Sequence, residues 1–228
     1  MAKFKYQLHT HTSPCSHCGN MTPTELAQAL VDENYAGAVL TNHFYWGNTG
    51  IDRSLPWEDF VKAYEIDYIE CKKAAAEKDV DILFGVEEHI EGGIEILVYG
   101  LTPEMLYAHP ELKSHAIEDW NKLRTEYGIL IVQAHPFRSR SYNVKIGVLP
   151  LSFIDGIEVL NSGNTPENDI DANAFADKHP DLIFTSGADA HKPKHIPLGG
   201  IETDKRITTP KELINTLKQK NFTLIPVR

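Results

Sequence analysis

The chain has 228 residues, 42% of them hydrophobic and 24% charged, which is the composition of an ordinary soluble globular domain. Its formal net charge of −10 argues against a general affinity for nucleic-acid backbones or anionic membranes. No segment approaches the roughly 18 uninterrupted apolar residues of a membrane helix, and an odd count of three cysteines argues against a disulfide framework. We therefore expect a single cytoplasmic domain over residues 1–228.

Apolar segments of strand length alternate with helical segments along the chain. Strands are predicted at residues 4–8, 36–41, 82–86, 95–99, 129–134, 156–160, 182–186 and 223–227. Helices are predicted to begin at the Thr22–Glu25 capping box and to cover residues 57–78, 113–127, 166–179 and 209–220. This alternation predicts a parallel sheet covered by helices, and the number of units favours an α/β fold of the closed or distorted β/α barrel type.

Candidate metal ligands stand at the ends of most predicted strands. His9 and His11 are separated by one residue, as are Asp189 and His191, so each pair points to one side of an extended chain. In a β/α barrel the carboxyl ends of the strands meet on one face. The side chains expected to line that face are His9, His11, His43, Glu87, His135, Asp189 and His191.

Imidazole and carboxylate ligands together suit Zn, Mn or Fe. The candidate ligands are too many for one tetrahedral ion, so we expect two or three divalent metal ions. Such a cluster neutralises the charge of phosphate oxygens and lowers the pKa of a bound water to produce hydroxide. Glu87 has two oxygens and can therefore bridge two ions, whereas a neutral histidine cannot.

The order of these motifs resembles the PHP (polymerase and histidinol phosphatase) family. The resemblance extends from residue 8 to about residue 200 and rests on His9-Thr10-His11-Thr12, Thr41-Asn42-His43, Gly85-Val86-Glu87, His135-Pro136 and Asp189-Ala190-His191. It implies a distorted seven-stranded, TIM-like β/α barrel that binds two or three metal ions. It also implies the hydrolysis of phosphate esters.

The resemblance further implies which residues hold each ion. The first ion is assigned to His9, His11, Glu87 and Asp189. The second is assigned to Glu87 and His135, and the third to His17, His43 and His191. Glu87, Asp189 and His191 are the residues expected to take part directly in catalysis.

Two positions depart from the family pattern. Asn42 stands where the family usually has Asp, which weakens any role in orienting an imidazole. Glu95 stands where the second metal usually takes a further histidine. As a ligand Glu95 would favour a harder metal such as Mn or Fe; the alternative is a solvated strand residue.

The loop near His17 has two other interpretations. His17 follows His11 at the spacing of trinuclear family members, but it can equally belong to a surface loop. Cys15 and Cys18 have the spacing of half a zinc knuckle, although a second cysteine pair is missing.

The candidates for substrate binding follow later strands. Arg138 and Arg140 come soon after His135, and a guanidinium binds phosphate through paired hydrogen bonds, so Arg138 is the first candidate. Its alternative is an ordinary surface arginine. Asn161 ends the strand at 156–160 and either binds substrate or, with Asn164, caps the next helix.

The sequence thus predicts a metal-dependent phosphoesterase that acts on a small phosphorylated molecule or a nucleotide, with long nucleic acid and membranes not expected as partners. One alternative is an amidohydrolase-type hydrolase of C–N bonds, whose barrels also begin with His-x-His. Those enzymes usually close with a lone Asp and often use a carboxylated Lys, neither of which the motifs show. The other alternative is a non-catalytic metal-binding PHP module.

Overall fold

The computed structural model describes residues 3–138 and 147–227. Its strands are β1 Phe4–Thr10, β2 Gly37–Leu40, β3 Asp81–Ile90, β4 Ile94–Tyr99, β5 Leu130–Gln133, β6 Gly156–Asn161, β7 Ile183–Gly187, β8 Ile201–Thr203 and β9 Thr223–Leu224. Its α-helices are α1 Pro23–Asp32, α2 Trp57–Tyr64, α3 Ile66–Ala76, α4 Pro103–Ala108, α5 Ile117–Tyr127, α6 Pro166–Ala176 and α7 Pro210–Lys218. Short 3-10 helices cover Pro110–Lys113 and Pro193–His195.

The sheet is curved into a nearly closed barrel. Its order is β7-β6-β5-β4-β3-β2-β1-β8-β9, so the described residues form nine strands, and the expected count of seven is not confirmed. β8 pairs antiparallel with the first half of β1. The second half of β1 meets the chain just after β7: Ala190 N donates to His9 O (3.0 Å) and His11 N donates to Ala190 O (2.9 Å). The ring therefore closes at the carboxyl end of β1.

The prediction of a parallel sheet is wrong for β4. This strand is antiparallel to both β3 and β5. Only Glu91, Gly92 and Gly93 connect β3 to β4, and both glycines have positive φ (94° and 81°). A parallel crossover needs a dozen or more residues, so this Gly-Gly turn permits only a hairpin. Because β4 runs the other way, its first residues lie beside the last residues of β3 and β5.

Several helix boundaries follow from local signals. Thr22 and Glu25 form the predicted capping box at α1, and Gly128 ends α5 in the left-handed conformation with φ 70°. The predicted helix at 57–78 is divided at Glu65 into α2 and α3. Within the described residues no helix is long and apolar enough to cross a membrane.

The strand alternation separates an apolar interior from a polar mouth. Leu83 and Glu87 lie on the same face of β3, as do Glu95, Leu97 and Tyr99 on β4. Leu83, Leu97 and Tyr99 belong to one buried apolar cluster, and each such side chain contributes about 1.5–3 kcal/mol on burial. The same rows of side chains become polar only where the strands reach the mouth.

Candidate metal centre

One buried carboxylate lies at the centre of the mouth. Glu87 is 1% exposed, and each of its oxygens faces two imidazoles. Oε1 lies 3.1 Å from His9 Nε2 and 3.4 Å from His135 Nε2. Oε2 lies 3.3 Å from His11 Nε2 and 2.9 Å from His43 Nδ1. A carboxylate with nitrogen donors on both oxygens has the arrangement required to bridge two cations.

Asp189 is a second carboxylate on the other side of the same imidazoles. Its Oδ1 lies 3.6 Å from His9 Nε2, 3.4 Å from His11 Nε2 and 3.5 Å from His191 Nδ1. Asp189 and His135 both have positive φ (50° and 29°), which is uncommon outside glycine. Strain of this kind concentrates at functional sites, because the surrounding structure must hold it in place.

Several buried polar atoms at the centre have no hydrogen-bond partner. They are His9 Nε2, His11 Nε2, His43 Nδ1 and both oxygens of Glu87. Leaving such groups unsatisfied costs about 1–3 kcal/mol each, and more when the group is charged. These atoms face one another at 2.9–3.3 Å, so cations placed among them would satisfy all of them at once.

Sets of ligand atoms at the mouth have the spacing that a metal ion requires. Three sets place their atoms within 4.8 Å of one another: His9, His11 and Asp189; His43, Glu87 and Glu95; and His11, His43 and His191. Imidazoles and carboxylates in this mixture suit Zn, Mn and Fe. The residues present therefore fit divalent metal ions.

The reversed direction of β4 brings Glu95 to this centre. Glu95 is the second residue of β4, and its Oε2 lies 3.4 Å from His135 Nε2. Its side chain is only 12% exposed. Glu95 is therefore not a solvated strand residue, and its role as a metal ligand stays a prediction.

The structure brings Cys18 rather than His17 to the mouth. Neither residue belongs to the three ligand sets, but the His17 side chain is exposed, whereas Cys18 is half-buried and lines the cavity. Cys18 Sγ lies 3.0 Å from His191 Nε2. Cys15 is buried, with its Sγ directed at Tyr64 O (3.7 Å), so the two cysteines do not form half of a zinc knuckle.

A buried glutamate that the strand-end rule missed supports the ligands. Glu158 Oε1 lies 3.1 Å from His9 Nδ1, and Oε2 accepts from His135 N (3.0 Å) and Asn161 Nδ2 (2.8 Å). A carboxylate on one imidazole nitrogen directs the other nitrogen to a metal and raises its basicity. The sequence signal for this role is an acidic residue inside the apolar strand Gly156–Asn161.

Asn42 acts on the centre through Ser16. Asn42 Oδ1 accepts from Ser16 Oγ (2.9 Å) and Thr12 N (2.6 Å). Ser16 Oγ in turn lies 3.2 Å from His11 Nδ1 and accepts from His43 N (2.9 Å). A neutral amide at position 42 is therefore sufficient to hold the group that orients His11.

Arg138 is buried in the site and is not a surface arginine. It is 3% exposed. Its Nη1 donates to Asp189 Oδ2 (2.8 Å), its Nε donates to Asn164 Oδ1 (2.8 Å), and its Nη2 donates to Asn161 Oδ1. A Cβ at Gly163 would come within 2.7 Å of Nη2, so a side chain there would displace the guanidinium. Arg140 lies outside the described residues.

The buried carboxylates of the centre need positively charged partners. Burial alone would lower the pKa of His9, but Glu87, Glu158 and Asp189 outweigh it and raise that pKa well above its usual range. Burial would likewise raise the pKa of Glu87 and of Asp189, yet His9 and its neighbours hold both well below the usual value. Burial, followed by the charge of His43, lowers the pKa of His11 to about 3. Protonated imidazoles or divalent ions can supply the charge that the carboxylates require.

A cavity of about 410 Å³ is lined by side chains of the centre, among them Glu87, Glu95, His135 and Asp189. Trp46 also lines it and stacks on His115 with ring centroids 4.8 Å apart. The cavity lies within the range of small-molecule sites.

No protein-family model and no curated protein matches the sequence. The fold is similar to that of several solved structures. A two-domain protein from Bacteroides vulgatus, which contains a predicted PHP-like metal-dependent phosphoesterase, has a TM-score of 0.75 and 14% identity. The alignment covers 99% of this chain and 65% of that chain. This chain therefore spans about two thirds of the length of that protein.

Two further similar structures are named for two different activities. The lesion-specific endonuclease EndoQ from Pyrococcus furiosus has a TM-score of 0.64 and 14% identity over 98% of this chain and 58% of its own. An amidohydrolase from Chromobacterium violaceum has a TM-score of 0.61 and 17% identity over 96% of this chain and 97% of its own. The chain thus has the α/β barrel fold of PHP-like metal-dependent phosphoesterases. This likeness supports the PHP resemblance of its motifs.

Proposed function

We propose that this protein is a PHP-type, metal-dependent phosphoesterase. The observation that carries the proposal is Glu87, a buried carboxylate whose two unpartnered oxygens each face two imidazoles. A structural ion pair would use one cationic partner, whereas this arrangement suits several divalent ions that share one carboxylate. The similarity to PHP-like phosphoesterases supports the same assignment.

The proposed ligands divide among two or three positions. His9, His11, Glu87 and Asp189 would hold the first ion, and Glu87, His135 and Glu95 the second. His43 and His191 would contribute to a third. When bound, such ions supply Lewis-acid charge and an activated water for attack at phosphorus. The chain's own residues then have the tasks of orienting ligands and holding the phosphate.

Arg138 and Asn161 are the proposed phosphate-binding residues. Arg138 is held against Asp189 and Asn161 before any substrate arrives, so its guanidinium is already oriented. A preorganised guanidinium loses less conformational entropy when it binds a phosphate. Glu158 would keep both Asn161 and His9 in place throughout the reaction.

The proposed substrate is a small phosphate ester or a nucleotide. The net charge of −10 disfavours long nucleic acid, and a cavity of about 410 Å³ is the size of a small-molecule site. Trp46, which lines the cavity and is 38% exposed, offers an aromatic surface to a base or another flat group. An oligonucleotide remains the second substrate to test, since one similar structure is a DNA endonuclease.

A panel of model substrates tests the reaction class. Protein loaded separately with Mn, Zn or Fe is given an aryl phosphate, an aryl phosphodiester, a nucleoside monophosphate, an oligonucleotide and an aryl amide. We expect hydrolysis of phosphate esters, and loss of both metal and activity in the double variant His9→Ala/His11→Ala. The matched control is His109→Ala, at a histidine that belongs to none of the ligand sets and contacts Glu111 and Tyr127.

Full activity in the double variant would contradict the proposal. Cleavage of the amide alone would instead support the amidohydrolase alternative, which the Chromobacterium structure favours. Against that alternative, no lysine is among the described residues that line the cavity. Stoichiometric metal binding without hydrolysis of any substrate would identify a non-catalytic module.

A further inference from the structure

The part of the mouth around His191 contains a sulfur atom that the ligand assignment above does not use. Cys18 Sγ lies 3.0 Å from His191 Nε2, and Cys18 lines the cavity together with His43 and Glu87. We propose that Cys18, and not His17, completes the third metal position as a thiolate ligand beside His43 and His191. This inference rests on the proposed metal centre.

A cluster of buried imidazoles beside Cys18 provides a second indication of a cation at this place. One ligand atom from each of His11, His43 and His191 lies within 4.8 Å of the others. His11 Nε2 and His43 Nδ1 are buried and have no hydrogen-bond partner. Cys18 Sγ is outside this set of atoms but lies 3.0 Å from His191 Nε2, so Cys18 lies at the edge of the cluster and not on an isolated loop.

The backbone fixes which residue of the loop enters the mouth. His17 N donates to Asn48 O (2.9 Å), and Gly19 N donates to Ser16 O (2.9 Å), which closes a tight turn. Asn20 N then donates to His191 O (2.8 Å), which connects the loop to the segment that follows β7. A Cβ at Gly19 would meet Thr12 backbone at 2.7 Å, so this turn is closely packed. Within this turn the His17 side chain is exposed, whereas Cys18 is half-buried and lines the cavity.

The distance between Cys18 and His191 is compatible with a shared metal. Zn–S and Zn–N bonds at the tetrahedral angle separate sulfur and nitrogen by about 3.6 Å. The observed 3.0 Å needs only a small side-chain rotation to reach that value. The thiol would release its proton to solvent on coordination, because only the thiolate is a ligand.

A thiolate gives this position a metal preference different from that of its neighbours. The other two positions combine imidazoles with Glu87, Asp189 and Glu95, which suits Mn and Fe as well as Zn. One thiolate with two imidazoles is a softer set that selects Zn or Co. We therefore expect the third position to hold a softer metal than the other two.

Cobalt substitution tests this assignment directly. A thiolate bound to Co²⁺ gives a charge-transfer band in the near ultraviolet, which imidazoles and carboxylates do not give. Wild-type protein saturated with cobalt should show the band, and Cys18→Ala should lose both the band and one metal equivalent. Cys18→Asp should keep the equivalent without the band. His17→Ala, the matched control on the adjacent exposed residue, should match wild type in both measurements.

The outcomes separate this inference from the proposed function. A saturated wild-type protein without the band, a band that survives in Cys18→Ala, or loss of a metal equivalent in His17→Ala would each overturn the assignment of Cys18. If Cys18→Ala does not fold by circular dichroism, the wild-type spectrum and Cys18→Asp still decide. Phosphoesterase activity without the band overturns this inference alone. A band without hydrolysis of any phosphate ester overturns the proposed function and leaves Cys18 a ligand.

Discussion

The two ends of β3 and β4 follow opposite rules of burial. In the interior, Leu83 and Leu97 are buried in a cluster of apolar side chains. At the mouth, Glu87 is buried just as completely, yet its two oxygens have no hydrogen-bond partner. The same strands therefore bury apolar side chains at one end and a charged carboxylate at the other. That difference indicates that the mouth is built for ligands that complete it.

Loss of Glu87 should have the largest effect on activity. Glu87→Gln removes the charge shared by two metal positions while preserving shape, so we expect hydrolysis to fall about 1,000-fold or more, equivalent to about 4 kcal/mol. Bound metal should fall by at least one equivalent. The metal-free variant should be less stable than metal-free wild type, because the lowered pKa of Glu87 means that its charge interacts favourably with His9 and its neighbours in the folded protein. Activity within tenfold of wild type would show that Glu87 does not serve the reaction.

Loss of an interior side chain should have the converse effect. Leu97→Ala, on the same face of β4 as Glu95, should lower the free energy of unfolding by about 2–5 kcal/mol, as measured by denaturant titration. Metal content at saturation should remain that of wild type. If Leu97→Ala kept the stability of wild type but bound less metal, the separate roles of the interior and the mouth would be contradicted.

Metal addition should stabilise the mouth and therefore the whole domain. At a free metal concentration 100 times the Kd, binding to the folded state alone contributes about 2.7 kcal/mol per site. Thermal unfolding should shift upwards when Mn or Zn is added to chelator-treated wild type. In Glu87→Gln the shift should be much smaller. Equal shifts in the two proteins would place metal binding elsewhere.

Glu158 should affect metal affinity more than stability. Glu158→Gln keeps the contact to Asn161 but removes the negative charge beside His9, so we expect metal affinity to fall 10- to 100-fold. Calorimetric titration with Zn measures this change. Gly187→Ala gives an independent check, because a Cβ there collides with Glu158 and comes within 2.8 Å of His9 Cβ. Unchanged affinity in both variants would show that Glu158 has no such supporting role.

Glu95 should produce the smallest and most selective effect. Glu95→Gln removes one oxygen ligand from the second position, while His135 and Glu87 remain. We expect affinity for Mn to fall several-fold and affinity for Zn to change little, since a neutral amide is a poor ligand for a hard cation. Competition titrations compare the two metals. An equal loss for both metals would contradict a specific role for Glu95 in metal preference.

The sequence predicts best the residues whose position depends on strand periodicity. His9, His11, Glu87 and Asp189 stand at or just after the ends of predicted strands, and the barrel brings their side chains together. Glu158 is missed by this rule because it lies in the middle of β6, where only a buried charge within an apolar strand marks it. Motifs at strand ends therefore identify candidate metal ligands better than they identify the residues that orient those ligands.

Loop and strand directions could not be obtained from periodicity. The choice between His17 and Cys18 depends on backbone hydrogen bonds to Asn48 and His191, which join residues far apart in sequence. The direction of β4 depends on the short Gly92–Gly93 turn. Glu95 nevertheless reaches the mouth. It is the second residue of β4, and the first residues of an antiparallel strand lie beside the last residues of the strand before it.

The proposed metal centre requires divalent ions bound around Glu87. Anomalous scattering from crystals of metal-loaded protein, recorded at the Mn, Fe and Zn edges, locates such ions. We expect at least two anomalous peaks, each within coordination distance of a Glu87 oxygen, with His9, His11 and Asp189 on one and His135 on the other. Crystals of saturated protein without a peak next to Glu87 would contradict the proposed metal centre.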